Sequence, residues 1–442
     1  MIHSNHLAET VAKFHRGSPT VQEYLAELQM RAETVEPEVK SLLPEPNRWS
    51  RLVSAAEESE AQQTRTSTHK PLFGVPVGVK DIIHANGFET KAGSSLPPAQ
   101  LTGAEATVVR QLKDAGALVL GKTVTTEFAY SEPGPTRNPH NTDHTPGGSS
   151  SGSAAAVATG ICPLALGTQT IGSIIRPASF CGVVGFKPSY GRVSADGVIP
   201  LSRSVDHVGF FTQDVEGANI AAGVLCKDWQ TIPDGTERPT LGVPTGPYLQ
   251  QASTEGLEHF RAQCRRLENA GYEITEVPVL TDIETLNEYH ERLVAADAAL
   301  AHHEWYQEYS ESYAERTAEL IEEGYSVPAC EIAVGRTSRV ETRHNLTEVM
   351  DDSDVDIWIA PAACGPAPEG IDSTGDPVMN LPWTHAGLPT LGLPTGDTIG
   401  ELPMGVQCIT RYNTGEHLLN WGHDLAQALQ SPPSSRDDSR IK

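Results

Sequence analysis

The chain has 442 residues, 32 of them Lys or Arg and 57 Asp or Glu, for a formal net charge of −25. That length allows two or three ordinary domains or one large α/β unit, and so acidic a balance repels phosphate backbones and anionic membrane surfaces. Nucleic acid is therefore not an expected partner, and seven cysteines scattered singly with no CxxC pair speak against both a disulfide framework and a zinc cluster.

The opening stretch MIHSNHLAETVAKFHRG has no apolar leader segment. The longest run of small apolar residues, 154–166, is broken by Thr159 and Gly160 and is too short to span a bilayer. A cytoplasmic, membrane-free protein is the expectation. Residues 1–65 read as an N-terminal helical arm: Ser18-Pro19-Thr20 precede a helix with Val21, Tyr24, Leu25 and Leu28 on one face, and a charged helix follows over 49–63. From Leu72 the texture becomes α/β, with strands at 73–79 and 117–120 around a helix at 106–115.

A Pro/Gly/Asp-rich link at 231–239 closes a core unit of 66–230. The segment 231–340 opens with a β-α-β pattern: 241–243, a helix carrying Leu257, Phe260, Cys264 and Leu267, then 272–279, with Gly271 as the helix C-cap. Long helices follow over 282–324. Their aromatics, Tyr289, Trp305, Tyr306, Tyr309 and Tyr313, have helical spacing, which favours helix core over pocket wall. A buried strand at 355–360 belongs to a C-terminal part, 341–430, of the same core, and the polar tail 431–442 reads as disordered. No internal repeat is present.

One motif misleads. GALVLGKT at 116–123 fits the G-x4-G-K-[ST] pattern of a phosphate-binding loop, but such a loop follows a strand, whereas here the residues between the glycines are themselves the apolar strand. His140 and His144, and His302 and His303, lack a third converging ligand and read as loop or surface histidines.

The informative run is GGSSSGSAAAVATG at 147–160, followed by ALGTQTIGSIIRPASFCGVVGFKPSYGRVS at 165–194. A Gly/Ser linker would not lead at once into a small-residue helix and a second tight Gly-Ser turn. Ser149 and Ser173 sit on those two turns, and upstream the valine-rich strand PLFGVPVGVKD ends with Lys80. A lysine closing a strand is ordinarily a charge reaching solvent. Buried beside hydroxyls, its ammonium is disfavoured by desolvation, and the neutral amine can act as a general base toward serine. Lys80, Ser149 and Ser173 together make a Ser-Ser-Lys device.

These pieces, with LGKTVTTEFAY (120–130), NPHNTDHTPGGSSSGSAAA (138–156), GFKPSYGRVSADGVIPLSRSVDHVG (185–209), NLPWTHAGLPTLGLP (380–394) and LPMGVQ (402–407), resemble the amidase signature family across most of the chain. The resemblance implies a single large α/β/α unit around a mixed, twisted sheet, with the N-terminal helices and the 230–340 segment draped around it. It implies Lys80 as catalytic base, Ser149 as a bridging serine on a cis peptide bond, Ser173 as nucleophile, and the backbone N–H groups of Thr170, Ile171, Gly172 and Ser173 as the oxyanion hole. Tyr130 and Trp383, inside matching loops, are the pocket candidates.

Around the nucleophile the family usually reads Asp-Thr-Gly-Gly-Ser-Ile-Arg, where this chain has Gln169, Ile171 and Ile175 in place of the aspartate, the first glycine and the arginine. Losing both charges together points to a compensated ion pair. Arg176 stands one position late, and the family arginine's role is not carried over to it. If Ile171 holds an ordinary negative φ, Gly172 is left to absorb any unusual torsion.

The expected activity is cleavage of a carboxamide C–N bond through a seryl acyl-enzyme, on a small-molecule amide or related acyl substrate, by a monomer or homodimer with no cofactor and no metal. Three alternatives stand beside it: an ester or carbamate hydrolase by the same route, the glutamine-hydrolysing subunit of a tRNA-dependent amidotransferase, and a non-catalytic binding protein on this scaffold.

Overall fold

Ten short strands carry the described fold: β1 (Pro76–Lys80), β2 (Leu118–Thr123), β3 (Leu164–Gln169), β4 (Val184–Lys187), β5 (His207–Thr212), β6 (Leu241–Thr245), β7 (Ile274–Pro278), β8 (Ile357–Pro361), β9 (Thr390–Ile399) and β10 (Leu402–Ile409). They join one sheet in the order β2-β1-β3-β5-β4-β9-β10-β8-β6-β7, in a computed structural model that describes residues 1–63, 70–232 and 237–430. Pairing is parallel at both ends (β2, β1 and β3; β8, β6 and β7) and antiparallel through the middle. Every residue of β1, β2, β3, β4, β5, β8 and β10 is buried, which is why these segments read as continuous apolar runs and not as an alternation.

Among the described residues, fourteen α-helices pack around the sheet. In the first half they are α1 (Leu7–Arg16), α2 (Val21–Val39), α3 (Arg48–Gln63), α4 (Thr107–Asp114), α5 (Ser151–Ala158), α6 (Ile175–Cys181) and α7 (Val215–Leu225). In the second they are α8 (Pro247–Gln250), α9 (Thr254–Asn269), α10 (Ile283–Tyr309), α11 (Glu315–Ser326), α12 (Ala329–Asp352), α13 (Leu381–His385) and α14 (Gly415–Gln430). The start of α2 is a capping box: the Thr20 side chain accepts from the Glu23 N–H, and the Glu23 carboxylate accepts from the Thr20 N–H. Gly271 lies one residue past the Ala270 cap of α9, at φ +89°, as a left-handed helix stop requires.

The single α/β unit around a mixed sheet is thus present. The 231–340 segment does more than wrap it, because β6 and β7 are strands of the sheet at one edge. The tail 431–442, expected to be disordered, lies outside the described residues, as does 233–236 of the expected link. No helix among the described residues is long and apolar enough to cross a membrane.

Two features of the fold build the floor of the site. Helix α5 is made of small residues throughout and is wholly buried against β1 and β3. It comes so close to its neighbours that a Cβ on Gly152 would stand 2.2 Å from the Ser41 carbonyl oxygen and 2.4 Å from the Val124 nitrogen. The turn of Phe128 and Ala129, both at positive φ, is fixed by aromatic packing: the Phe128 ring lies 4.6 Å from His302, 5.1 Å from Tyr313 and 6.1 Å from Trp305. Of the five aromatics expected to be helix core, Tyr313 is buried, whereas Trp305, Tyr289, Tyr306 and Tyr309 are half-buried.

Candidate active site

Strands β1 and β3 run parallel with Val79 opposite Leu166, so Lys80 at the end of β1 emerges beside Thr168. The loop 147–150 enters α5 across the same edge, and the turn 170–174 leaves β3 for α6. Lys80 is fully buried, its Nζ 2.7 Å from Ser149 Oγ, 2.8 Å from Thr168 Oγ1 and 3.0 Å from Ser150 Oγ. The peptide bond between Gly148 and Ser149 is cis.

Burial drives the Lys80 pKa well below 10.5, and the Asp206 carboxylate opposes this only in part. A neutral amine has two N–H donors and one lone pair. Ser150 uses its own hydroxyl proton on the Thr168 carbonyl, so it accepts from Lys80. With a second donation to Thr168, the lone pair is left for the Ser149 hydroxyl, the orientation a general base needs.

Ser173 is 8% exposed, and its hydroxyl makes no hydrogen bond among the described residues, to Ser149 or to anything else. The N–H groups of Ile171, Gly172 and Ser173 likewise have no protein acceptor among the described residues, which leaves three donors free at one turn. Neither Ile171 nor Gly172 has a positive φ. Glycine at 172 meets a spatial requirement and not a torsional one, since a Cβ there would stand 2.4 Å from Asn380 Oδ1.

The changed residues around Ser173 have definite places. Gln169 Oε1 accepts from the N–H of Ile174 (2.7 Å) and of Ile175 (3.0 Å) at the head of α6, while its Nε2 donates to Thr384 Oγ1 at 2.9 Å. A neutral amide thus closes the helix start without a charge, and Ile175 is fully buried beside Gly392 of β9.

Arg176, left without a role by sequence reasoning, is an anchor. It donates to the Gly148 carbonyl (2.8 Å), the Gly375 carbonyl (2.7 Å) and Thr374 Oγ1 (3.0 Å), so it holds the peptide that carries Ser149. Burial pulls its pKa down to about 10, with partial compensation from Asp376. Arg176→Met should leave the buried Gly148 carbonyl unpaired, at about 1–3 kcal/mol, and free the part-buried Gly375 carbonyl as well. The expected result is a lower urea midpoint together with a kcat reduced on the order of tenfold.

The two pocket candidates part company. Tyr130 is half-buried and packs with Leu201, Val205, Leu293 and Val294. Trp383 is corrected: it is fully buried, edge-on to Tyr248 at 5.5 Å with Nε1 donating to the Tyr248 hydroxyl, so it is core and cannot meet a substrate. A cavity of about 310 Å³ opens beside Thr168, Thr170, Ala129 and Asp206, on the flank of the Lys80 network; Ser173 does not line it. Asp206 accepts from Thr170 Oγ1 at 2.6 Å and from the Leu201 and Ser202 N–H groups, and burial lifts its pKa to about 6.

Lys122, the lysine of the phosphate-loop-like pattern, lies within β2 and is spent on Asp81 (2.9 Å) and Thr90 (3.0 Å). His140 and His144 bond to backbone carbonyls, His302 is corrected from a surface to a fully buried residue of α10, and among the described residues no three His, Cys, Asp or Glu side chains converge as metal ligands would.

Set against known proteins, residues 23–419 match the family model Amidase. The chain is 31% identical to a glutamyl-tRNA(Gln) amidotransferase subunit of Synechococcus sp. (strain WH7803), covering 96% of each. It is 32% identical to the corresponding subunit from Nitratidesulfovibrio vulgaris (strain DP4), covering 98% of each. Among solved structures, an amidase superimposes with a TM-score of 0.87 at 31% identity, over 96% of this chain and 99% of the other.

Proposed function

The chain belongs to the amidase signature family of C–N hydrolases, and on that premise we propose that it cleaves a small-molecule carboxamide through an acyl-enzyme on Ser173. The observation that carries this reading is the buried Lys80 Nζ at 2.7 Å from Ser149 Oγ, next to a turn whose N–H groups and nucleophile are unengaged.

In the first half-reaction neutral Lys80 takes the Ser149 proton, Ser149 takes the Ser173 proton, and Ser173 Oγ attacks the carbonyl carbon. The oxyanion is received by the free amides of the turn. The Ser173 hydroxyl breaks no hydrogen bond when it turns toward Ser149. As the C–N bond breaks, the proton held on Lys80 returns through Ser149 to the departing nitrogen. Water, deprotonated by the same relay, then attacks the acyl carbon and frees Ser173. Gln169 and Arg176 hold the two ends of the constellation in register.

A second reading is favoured by the names of the two relatives: a glutamine-hydrolysing subunit that passes ammonia to a partner. One experiment separates the two. The purified chain alone is assayed on a panel of alkyl amides, anilides, esters, carbamates and glutamine, with Ser173→Ala as control. Turnover of simple amides by the isolated chain supports the hydrolase. Inactivity alone, with glutamine hydrolysed only when amidotransferase partner chains are added, replaces it with the second reading.

A further inference from the structure

Behind the turn that carries Ser173 lies a line of buried polar groups that the mechanism above does not use. His290 of α10 has Nε2 3.2 Å from the Thr170 carbonyl oxygen. Its Nδ1 faces Nδ1 of His385, from α13, at 3.1 Å. His385 Nε2 in turn lies 2.6 Å from Ser338 Oγ of α12. Both imidazoles are fully buried.

The proton positions along this line follow from one constraint. A carbonyl oxygen only accepts, so His290 Nε2 carries hydrogen. Burial keeps both rings neutral, with His290 brought down to about 3 and His385 to about 2, and Arg339 adds to both shifts. A neutral His290 then has a bare Nδ1, which requires a hydrogen on His385 Nδ1. That leaves His385 Nε2 bare to accept from the Ser338 hydroxyl at 2.6 Å, closer than that hydroxyl's other acceptor, the Gly335 carbonyl at 3.2 Å. The two histidines thus hold opposite tautomers, and each of their four ring nitrogens has a partner.

What the line grips is the oxyanion turn. In a trans peptide the C=O and the following N–H point in opposite directions. Drawing the Thr170 carbonyl toward α10 therefore aims the Ile171 N–H away from α10. The next peptide is held in the same manner, its Ile171 carbonyl accepting from Thr384 Oγ1 at 2.7 Å. A hydrogen bond to the carbonyl also polarises the amide and makes its N–H a stronger donor.

We propose that His290, backed by His385 and Ser338, is a positioning residue that orients the oxyanion amides from behind, so that its contribution is felt in the tetrahedral intermediate and not in substrate binding. This rests on the acyl-enzyme reading above. The α10–α12 segment accordingly acts on the chemistry itself as well as on the walls around it.

The test compares wild type with His290→Leu, which has no donor, and His290→Gln, whose side-chain amide can still donate to Thr170. Each is measured for kcat and KM on the best amide of the panel and for Ki with an alkyl trifluoromethyl ketone, which forms a tetrahedral oxyanion on the serine. The expected result for His290→Leu is a kcat lowered about 10–100-fold with KM within about twofold and Ki raised in parallel. His290→Gln should return both to within a few-fold of wild type.

If His290→Leu fails to fold, Ser338→Ala replaces it, with a few-fold loss expected in kcat and Ki together. A folded His290→Leu, or failing that a folded Ser338→Ala, overturns the proposal if kcat is unchanged, or if kcat falls while Ki does not. Finding His290 protonated at Nδ1 by 15N NMR would do the same. Failure of the underlying reading shows differently: wild type itself would then take no fluorophosphonate label on Ser173, and the proposal would fall with it.

Discussion

Ser173→Ala should abolish covalent labelling by a fluorophosphonate probe and lower amide turnover on the order of 10⁴- to 10⁶-fold. The size of the effect follows from the site's construction. Thr168 and Ser150 are engaged with Lys80, Ser150 also donates to the Thr168 carbonyl, and Ser149 lies at the Lys80 lone pair. Ser173 is the hydroxyl of the set with no prior engagement and with three free amides beside it. Mass spectrometry of the labelled peptide decides the matter, and a label on Ser149 or Ser150 would overturn the assignment.

The second large effect concerns Lys80. Only the unprotonated amine can accept a proton, so kcat/KM should rise with pH through a pKa well below 10.5 and stay high into the alkaline range. Lys80→Ala should lose on the order of 10²- to 10⁴-fold in kcat/KM and lose the pH-dependent rise as well. Stability gives an independent reading of the same proton. The unfolded chain keeps it up to about pH 10.5, while the folded chain releases it well below that value. Between the two the unfolded state binds more protons, so the Lys80 contribution makes stability rise with pH across that window. Lys80→Met should reduce that slope in urea midpoints measured from neutral to alkaline pH. A Lys80→Ala enzyme with near-wild-type amide turnover would refute the base role.

Much of this was legible because close packing constrains sequence locally. The valine strand ending in Lys80, the all-small helix α5 and the Gly-Ser turns each show their function in adjacent residues, since a buried strand must be apolar and a closely approached helix must be small. What stayed hidden depends on partners far along the chain. His290 reaches Thr170 across 120 positions and Arg176 reaches Thr374 across 198, and no periodicity marks either pair. Trp383 misled for a related reason. Its motif borders the site, but its ring turns the other way, toward the hydroxyl of Tyr248, and position in a loop does not give side-chain direction. Strands β6 and β7 were visible as a β-α-β pattern, while their membership of the one sheet rests on the pairing of β6 with β8, more than a hundred residues after β6.

The order of the strands has a consequence for how activity appears as the chain folds. Lys80, Ser149 and Ser173 all come from the part of the chain that supplies β1 to β5, and that part is joined to the rest of the sheet by the pairing of β4 with β9. The groups that grip the oxyanion turn, His290, Thr384 and His385, come from beyond it. If the β1 to β5 part folds first, a refolding chain would bring Lys80, Ser149 and Ser173 together before the groups behind the turn arrive. Such an early state would hold a serine that reacts sluggishly with an activated probe and hardly at all with an unactivated amide. Reactivity toward strong electrophiles and true turnover would then return at different times, the second waiting for the sheet to close.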